Sequence, residues 1–200
     1  MTDEQRGVAN LLAKQKEYFT HITPIGEVNE TKLICLDLET TGVDDRVDEV
    51  LEITILDGDM NVLLNTYVKP NFTTSWKCAE AVHHISYEKV KNKPTLQQLA
   101  PLIKGIFENA DVIVGYNGSF DLGFLDGLYS LENKQVIDVM KLFAPIYGEF
   151  SEKYDDYKWQ KLQKCADYFG YEFKSHDSYE DAKATLFCYR KIMERKGVSV

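Results

Sequence analysis

Two hundred residues, 44% hydrophobic and 28% charged, describe one globular domain able to bury a core without disulfide or zinc staples. The formal net charge of −9 argues against a protein that coats nucleic acid through many Lys/Arg–phosphate contacts. It leaves room for an enzyme whose acidic site is filled by divalent cations. The four cysteines (Cys35, Cys78, Cys165, Cys188) include no Cys-x-x-Cys pair, and the first residues lack the basic-then-apolar layout of a secretion signal. Free thiols in a cytoplasmic protein without membrane spans are therefore expected.

Residues 1–30 carry Val8, Leu11, Leu12, Gln15 and Phe19 at helical spacing ahead of Pro24 and Gly26, and are expected to form a helical extension to a domain spanning 31–200. Three strand candidates follow: Lys32 to Leu38, Glu49 to Asp57 and Val62 to Lys69, with Asp57-Gly58-Asp59 as a turn. Connections this short imply an antiparallel meander. A short helix is predicted around Ala79–Ile85, then a longer one over Thr95–Phe107 with Leu96, Leu99, Ile103 and Phe107 on one face.

Asp111–Tyr116 reads as a buried strand, and a helix beginning at Phe120 would turn Phe120, Phe124, Leu125 and Leu128 to the core. Beyond it come a strand over Gln135–Met140, an acidic and aromatic segment Gly148–Tyr157 read as a mobile loop over or beside the site, and helices over Trp159–Phe169 and Tyr179–Glu194. A meander followed by alternating strands and helices makes a mixed sheet with helices on its faces, in the α/β class.

Three places carry candidate chemistry. Asp37-Leu38-Glu39 is the single Asp-x-Glu of the chain, and it ends an apolar run. On a strand both carboxylates project from one side, where they can hold a metal ion. Asp121 stands just past the predicted buried strand, in the first turn of a helix, where ligand sites of α/β folds gather. His176 precedes the last helix, whose Ser178 and Asp181 have the spacing of a capping box. Each has an ordinary structural explanation when taken singly: a sheet-edge turn, a helix-dipole acid and a helix cap.

Taken together they resemble a known family. Asp37-x-Glu39-Thr40-Thr41-Gly42, then Asn117-x-x-Phe120-Asp121-x-x-Phe124-Leu125, then His176-x-x-x-x-Asp181-Ala182 look like the three motifs of the DnaQ-like 3′–5′ exonucleases, in the histidine-bearing branch of the DEDD superfamily. Val82-His83-His84-Ile85-Ser86, Pro94-Thr95 and Ile137-Asp138 are further family-like pieces over about residues 32–192. The resemblance implies a ribonuclease H-like mixed five-stranded sheet flanked by helices. It also implies a DNA exonuclease that releases nucleoside 5′-monophosphates with two divalent ions, Mg²⁺ or Mn²⁺, of the kind that clamp attacking and leaving oxygens about 3.5–4 Å apart.

In that reading Asp37 bridges both ions, Glu39 and Asp181 complete the site that activates water, Asp121 helps hold the second ion, and His176 is the general base. Imidazole suits the task because it exchanges protons near neutrality. Thr40, Thr41, Gly42, His83, Asn117 and Phe120 would shape the pocket for the terminal nucleotides of a single-stranded or frayed 3′ end. Two residues depart from the family: His84, where Gly is usual, and Tyr116, where His is frequent. Neither is a ligand. The chain ends soon after its last helix, so the extension by which the bacterial proofreading epsilon subunit joins its DNA polymerase is not expected. RNA is the alternative substrate, and a non-catalytic binding module or an acidic scaffold are the alternatives outside the nuclease class.

Overall fold

Alternation along one strand organises the molecule. In the computed structural model, described here for residues 32–196, β1 (Leu33–Thr40) turns Leu33 and Cys35 to one face of the sheet and Ile34, Leu36 and Leu38 to the other. Strand order is β3-β2-β1-β4-β5, with β2 (Val50–Asp57) and β3 (Val62–Tyr67) antiparallel and β4 (Val112–Gly115) and β5 (Gln135–Asp138) parallel to β1. This is the expected mixed five-stranded sheet. The predicted helix over residues 1–30 lies outside the described residues.

Between β3 and β4 run α1 (Lys77–His83), α2 (Tyr87–Val90) and α3 (Leu96–Glu108). Thr95 caps α3 through a reciprocal box with Gln98, and Ile103 and Phe107 bury its predicted face against Ile34, Leu36, Ile53 and Ile55. The helix α4 (Gly118–Phe124) follows β4 directly. On the opposite face α5 (Val139–Tyr147), α6 (Leu162–Phe169) and α7 (Ser178–Arg195) close a second core, in which Phe143, Cys165, Leu186, Cys188 and Tyr189 meet Leu33, Cys35, Val112 and Val114. All four cysteines are free thiols, three of them buried. Among the described residues no helix is long and apolar enough to cross a membrane.

Four local expectations are corrected. The strand predicted to reach Met140 stops at Asp138, whose carboxylate accepts from the Met140 amide at 3.1 Å and so starts α5, a helix the sequence analysis did not contain. Gly148–Tyr157 contains a small antiparallel hairpin, β6 (Phe150–Ser151) and β7 (Asp156–Tyr157). The helix predicted from Trp159 begins at Leu162, because the Tyr116 hydroxyl donates to the Gln160 carbonyl at 2.7 Å and holds that stretch extended.

The start of α7 also differs from the expected capping box. Its cap is Asp177, which accepts from the Glu180 amide at 3.2 Å, and not Ser178. Ser178 is fully buried, with its hydroxyl 2.7 Å from that of Thr54 and its amide donated to Glu52. Asp181 is thereby released from any capping duty.

Candidate active site

The parity that sends Leu33 and Cys35 toward α7 sends Asp37 and Glu39 the same way. Cys35 touches the carbonyl of Ala182 at 3.4 Å, so the strand lies directly against the first turns of α7. Asp181, in the first turn, then faces the two strand acids. The metal-ligating atoms of Glu39, His176 and Asp181 lie within 4.8 Å of one another.

Asp121 arrives from the other side. Since β1 pairs with β4 only over Leu33–Cys35, it outruns that strand, and the Leu38 amide is taken by the Asp121 carboxylate at 3.1 Å. The helix carrying Asp121 is begun by Asn117, which adopts a left-handed backbone (φ 61°) and is held through its amide by Asp138 Oδ1 at 3.0 Å. A non-glycine residue in this region carries a modest strain, tolerated best by Asn and Asp.

His176 is also left-handed (φ 67°), and its amide donates to Asp181 Oδ2 at 3.0 Å. That bond fixes the loop carrying the exposed imidazole to the acid beside it. The other oxygen, Asp181 Oδ1, is buried without a hydrogen-bond partner. A buried carboxylate oxygen left this way is unfavourable unless a cation or proton meets it.

Electrostatics point the same way. Burial, reinforced by Asp121, Asp181, Glu39 and Glu52, pushes the Asp37 carboxyl well above its ordinary range. Burial first, then the charges of Asp181 and Glu52, push Glu39 up to about 8. Burial likewise raises Asp121 to about 8 and Asp181 to about 7, against hydrogen bonds that favour their charged forms. Buried acids that raise one another's pKa in this way are suited to holding a cation. Oxygen donors of this kind suit a hard divalent ion such as Mg²⁺ or Mn²⁺.

The residues expected to shape the nucleotide pocket are found in supporting roles as well as at the rim. His83 is buried, accepts from the Ile85 amide on Nδ1 at 3.0 Å, and therefore presents its Nε2 proton to the Thr40 carbonyl at 3.2 Å. Burial lowers its pKa, consistent with a neutral ring. The Thr40 hydroxyl donates to the Gly42 carbonyl, and Thr41 exchanges hydrogen bonds with Asp48 and the Glu49 amide. A Cβ on Gly42 would lie 2.3 Å from Asp48 Oδ2, so glycine lets the loop close there. Phe120 is half-buried, packs on Phe124 at 5.1 Å and lines a groove with Val43, Asp44, Asp45 and Arg46.

Three contributors are absent from the site residues expected from the sequence. Glu52 lies opposite Glu39 in the β1–β2 register and holds the Ser178 amide. Its signal was available: it is an acid inside the apolar run Val50–Leu56. Asp138 anchors Asn117, and Asp177 caps α7; both look like ordinary polar residues at element ends until the partners are known.

The model of the RNase_T exonuclease family matches residues 34–189. An uncharacterized exonuclease, CP81, of Escherichia phage 186 is 31% identical over 170 residues, covering 78% of this chain and 86% of that protein. A PolC-type DNA polymerase III of Clostridium perfringens is 28% identical over 84% of this chain, which spans only 12% of the polymerase. Among solved structures, exonuclease X in complex with 5′ overhanging duplex DNA shares the fold, with a TM-score of 0.64, 21% identity and coverage of 84% of this chain and 94% of that one. The family match spans all the converging acids and His176, and on it the chain belongs to the RNase_T exonuclease family.

Proposed function

We propose that this protein is a metal-dependent 3′–5′ exonuclease that removes nucleoside 5′-monophosphates from the 3′ end of DNA, with His176 as general base and two divalent ions. The observation that carries the reading is the convergence of Glu39, His176 and Asp181 beside Asp37 and Asp121, with Asp181 Oδ1 buried and unpartnered. Domain limits of 31–200, with 1–30 as an extension, and a reducing cytoplasmic setting belong to the same proposal. The free cysteines support the setting.

Asp37, Glu39, Asp121 and Asp181 would hold the ions. When bound, divalent cations relieve charge on the phosphate and favour ionisation of water. The protein's own groups do the rest. Asp181 fixes the His176 backbone, so the imidazole is held at the rim where it can take the proton of the attacking water. His83, through Thr40, and Asp48, through Thr41, stiffen the loop that follows the strand acids, where a terminal nucleotide would lie. Phe120 offers a ring to the terminal base, a contact that tolerates any sequence.

DNA is favoured because exonuclease X, which shares the fold, was solved with DNA, and the PolC-type relative is a DNA polymerase. Those names also make a DNA polymerase the natural candidate partner. The experiment is digestion of matched 5′-labelled DNA and RNA strands with Mg²⁺ or Mn²⁺, comparing the protein with Asp37→Ala and Asp181→Asn. Laddering from the 3′ end that vanishes in both variants supports the proposal. Undiminished laddering in either refutes it, and preferential digestion of RNA would replace the DNA assignment.

A further inference from the structure

Trp159 is 58% exposed, an unusual state for the largest apolar side chain. It sits in the extended stretch that the Tyr116 hydroxyl pins to the C-terminal end of β4. The Lys141 ammonium stands 5.8 Å from the centroid of its ring and 3.6 Å from Asp138 Oδ2. Asp138 in turn holds Asn117, the residue that starts the Asp121 helix. A short chain of contacts therefore joins this ring to the candidate active site, on the same C-terminal edge of the parallel strands.

Several lysines stand along this stretch although the chain's net charge is −9. Lys141 contacts Asp138, Lys158 and Lys164 both contact Glu149, and Lys164 also donates to Gln160 Oε1 at 2.9 Å. Lys158 pairs with Glu149 at 2.8 Å, and Lys164 lies over the Tyr147 ring at 4.4 Å. Lys141 also lines a groove of about 990 Å³ between α4 and β5, together with Ser119 and Asp138. With Lys141 over one face of the indole, the exposure of Trp159 leaves room for a flat partner on it. A flat ring flanked by cations matches one polymer, a single strand of nucleic acid, whose bases stack while its phosphates meet the lysines.

The geometry points to Trp159 and Lys141 as a platform that binds the single strand upstream of its 3′ end, so that strands long enough to reach it are held more tightly than short ones. This rests on the proposed nuclease reading and adds a substrate-length preference to it. Trp159 is not a catalytic residue in this account; it positions the strand.

Two measurements test it. In the first, Asp37→Asn is titrated with oligothymidylate while tryptophan fluorescence is followed. The chain has two tryptophans, and Trp76 is buried and hydrogen-bonded to the Ile85 carbonyl. Stacking on Trp159 quenches the signal, and adding Trp159→Phe removes the quench. In the second, KM is compared for a long oligothymidylate and a thymidine dinucleotide. Trp159→Ala is expected to raise KM for the long strand about tenfold more than for the dinucleotide, and Trp159→Phe to restore most of it. Lys141→Ala is expected to lower the salt dependence of long-strand affinity by about 0.7 of a logarithmic unit per decade of salt.

No quench together with an unchanged KM ratio in Trp159→Ala overturns the platform while leaving the nuclease intact. A quench in a protein that cleaves neither substrate keeps the binding surface and refutes the nuclease reading.

Discussion

The amide of Leu38 and the carboxylate of Asp121, 83 residues apart in sequence, meet at 3.1 Å where β1 runs on past the end of β4. This single bond places the acid of α4 beside Asp37 on the central strand. It also favours the charged form of a carboxylate that burial pushes up to about 8.

Asp121→Asn keeps an oxygen for the Leu38 amide and removes the charge. Nuclease activity is expected to fall at least about 100-fold. Without metal at pH 8 or above the variant should melt at the same or a higher temperature than the parent, because a buried repelling acid has been neutralised. Thermal scans and product ladders on one preparation check both; a clear drop in melting temperature would mean that Asp121 holds the fold and not a cation.

Metal-free stability should fall as pH rises from about 4.5 to 8. Glu39, Asp121 and Asp181 have folded-state values of about 8, 8 and 7, raised above their ordinary range. Over that window the folded state binds more protons than the unfolded one, so the slope of unfolding free energy with pH is negative. Mn²⁺ competes with those protons. The rise in melting temperature on adding Mn²⁺ is therefore expected to be larger at pH 8 than at pH 5.5, and an equal rise at both would argue against these acids as the ligands.

His176→Ala should slow strand shortening by roughly 100-fold or more and change the shape of its pH–rate profile, as removal of a general base does. The metal-induced rise in melting temperature should persist in part, carried by the four acids. A rate profile of unchanged shape would assign the proton to another group.

Asp177→Ala removes the cap of α7 and is expected to destabilise the protein by about 1 kcal/mol in urea unfolding. Ser178→Ala acts differently. It strips a buried partner from Thr54, and should be destabilising by about 1–3 kcal/mol without touching the cap. A double substitution tests the distinction, since a serine that capped the helix would make the two effects overlap, whereas separate bonds should give nearly additive losses.

Much of the site was legible because periodicity is local. Asp37 and Glu39 share a face with Leu33 and Cys35 by the two-residue repeat of a strand, and the amphipathic patterns of α3 and α7 are visible without any partner. The resemblance to a nuclease family supplied the link between the three motifs. What escaped was decided by single contacts. Serine and aspartate are equal candidates for the cap of α7 until Thr54 and Glu52 claim Ser178. Pro145 obscures the helix that Asp138 starts, and nothing in Trp159-Gln160-Lys161 announces that Tyr116 will hold it extended.

The sequence by itself determined the mixed sheet and the chain order of its five strands, since burial patterns act over a few neighbouring positions, and the family resemblance it carries named the five polar groups as candidates. Tertiary structure alone decided that β1 outruns β4, that Asp181 keeps one oxygen unpartnered, and that Trp159 stands open beside Lys141. Those outcomes depend on which distant groups compete for one hydrogen bond or one patch of surface, and that competition exists only after the chain has closed on itself.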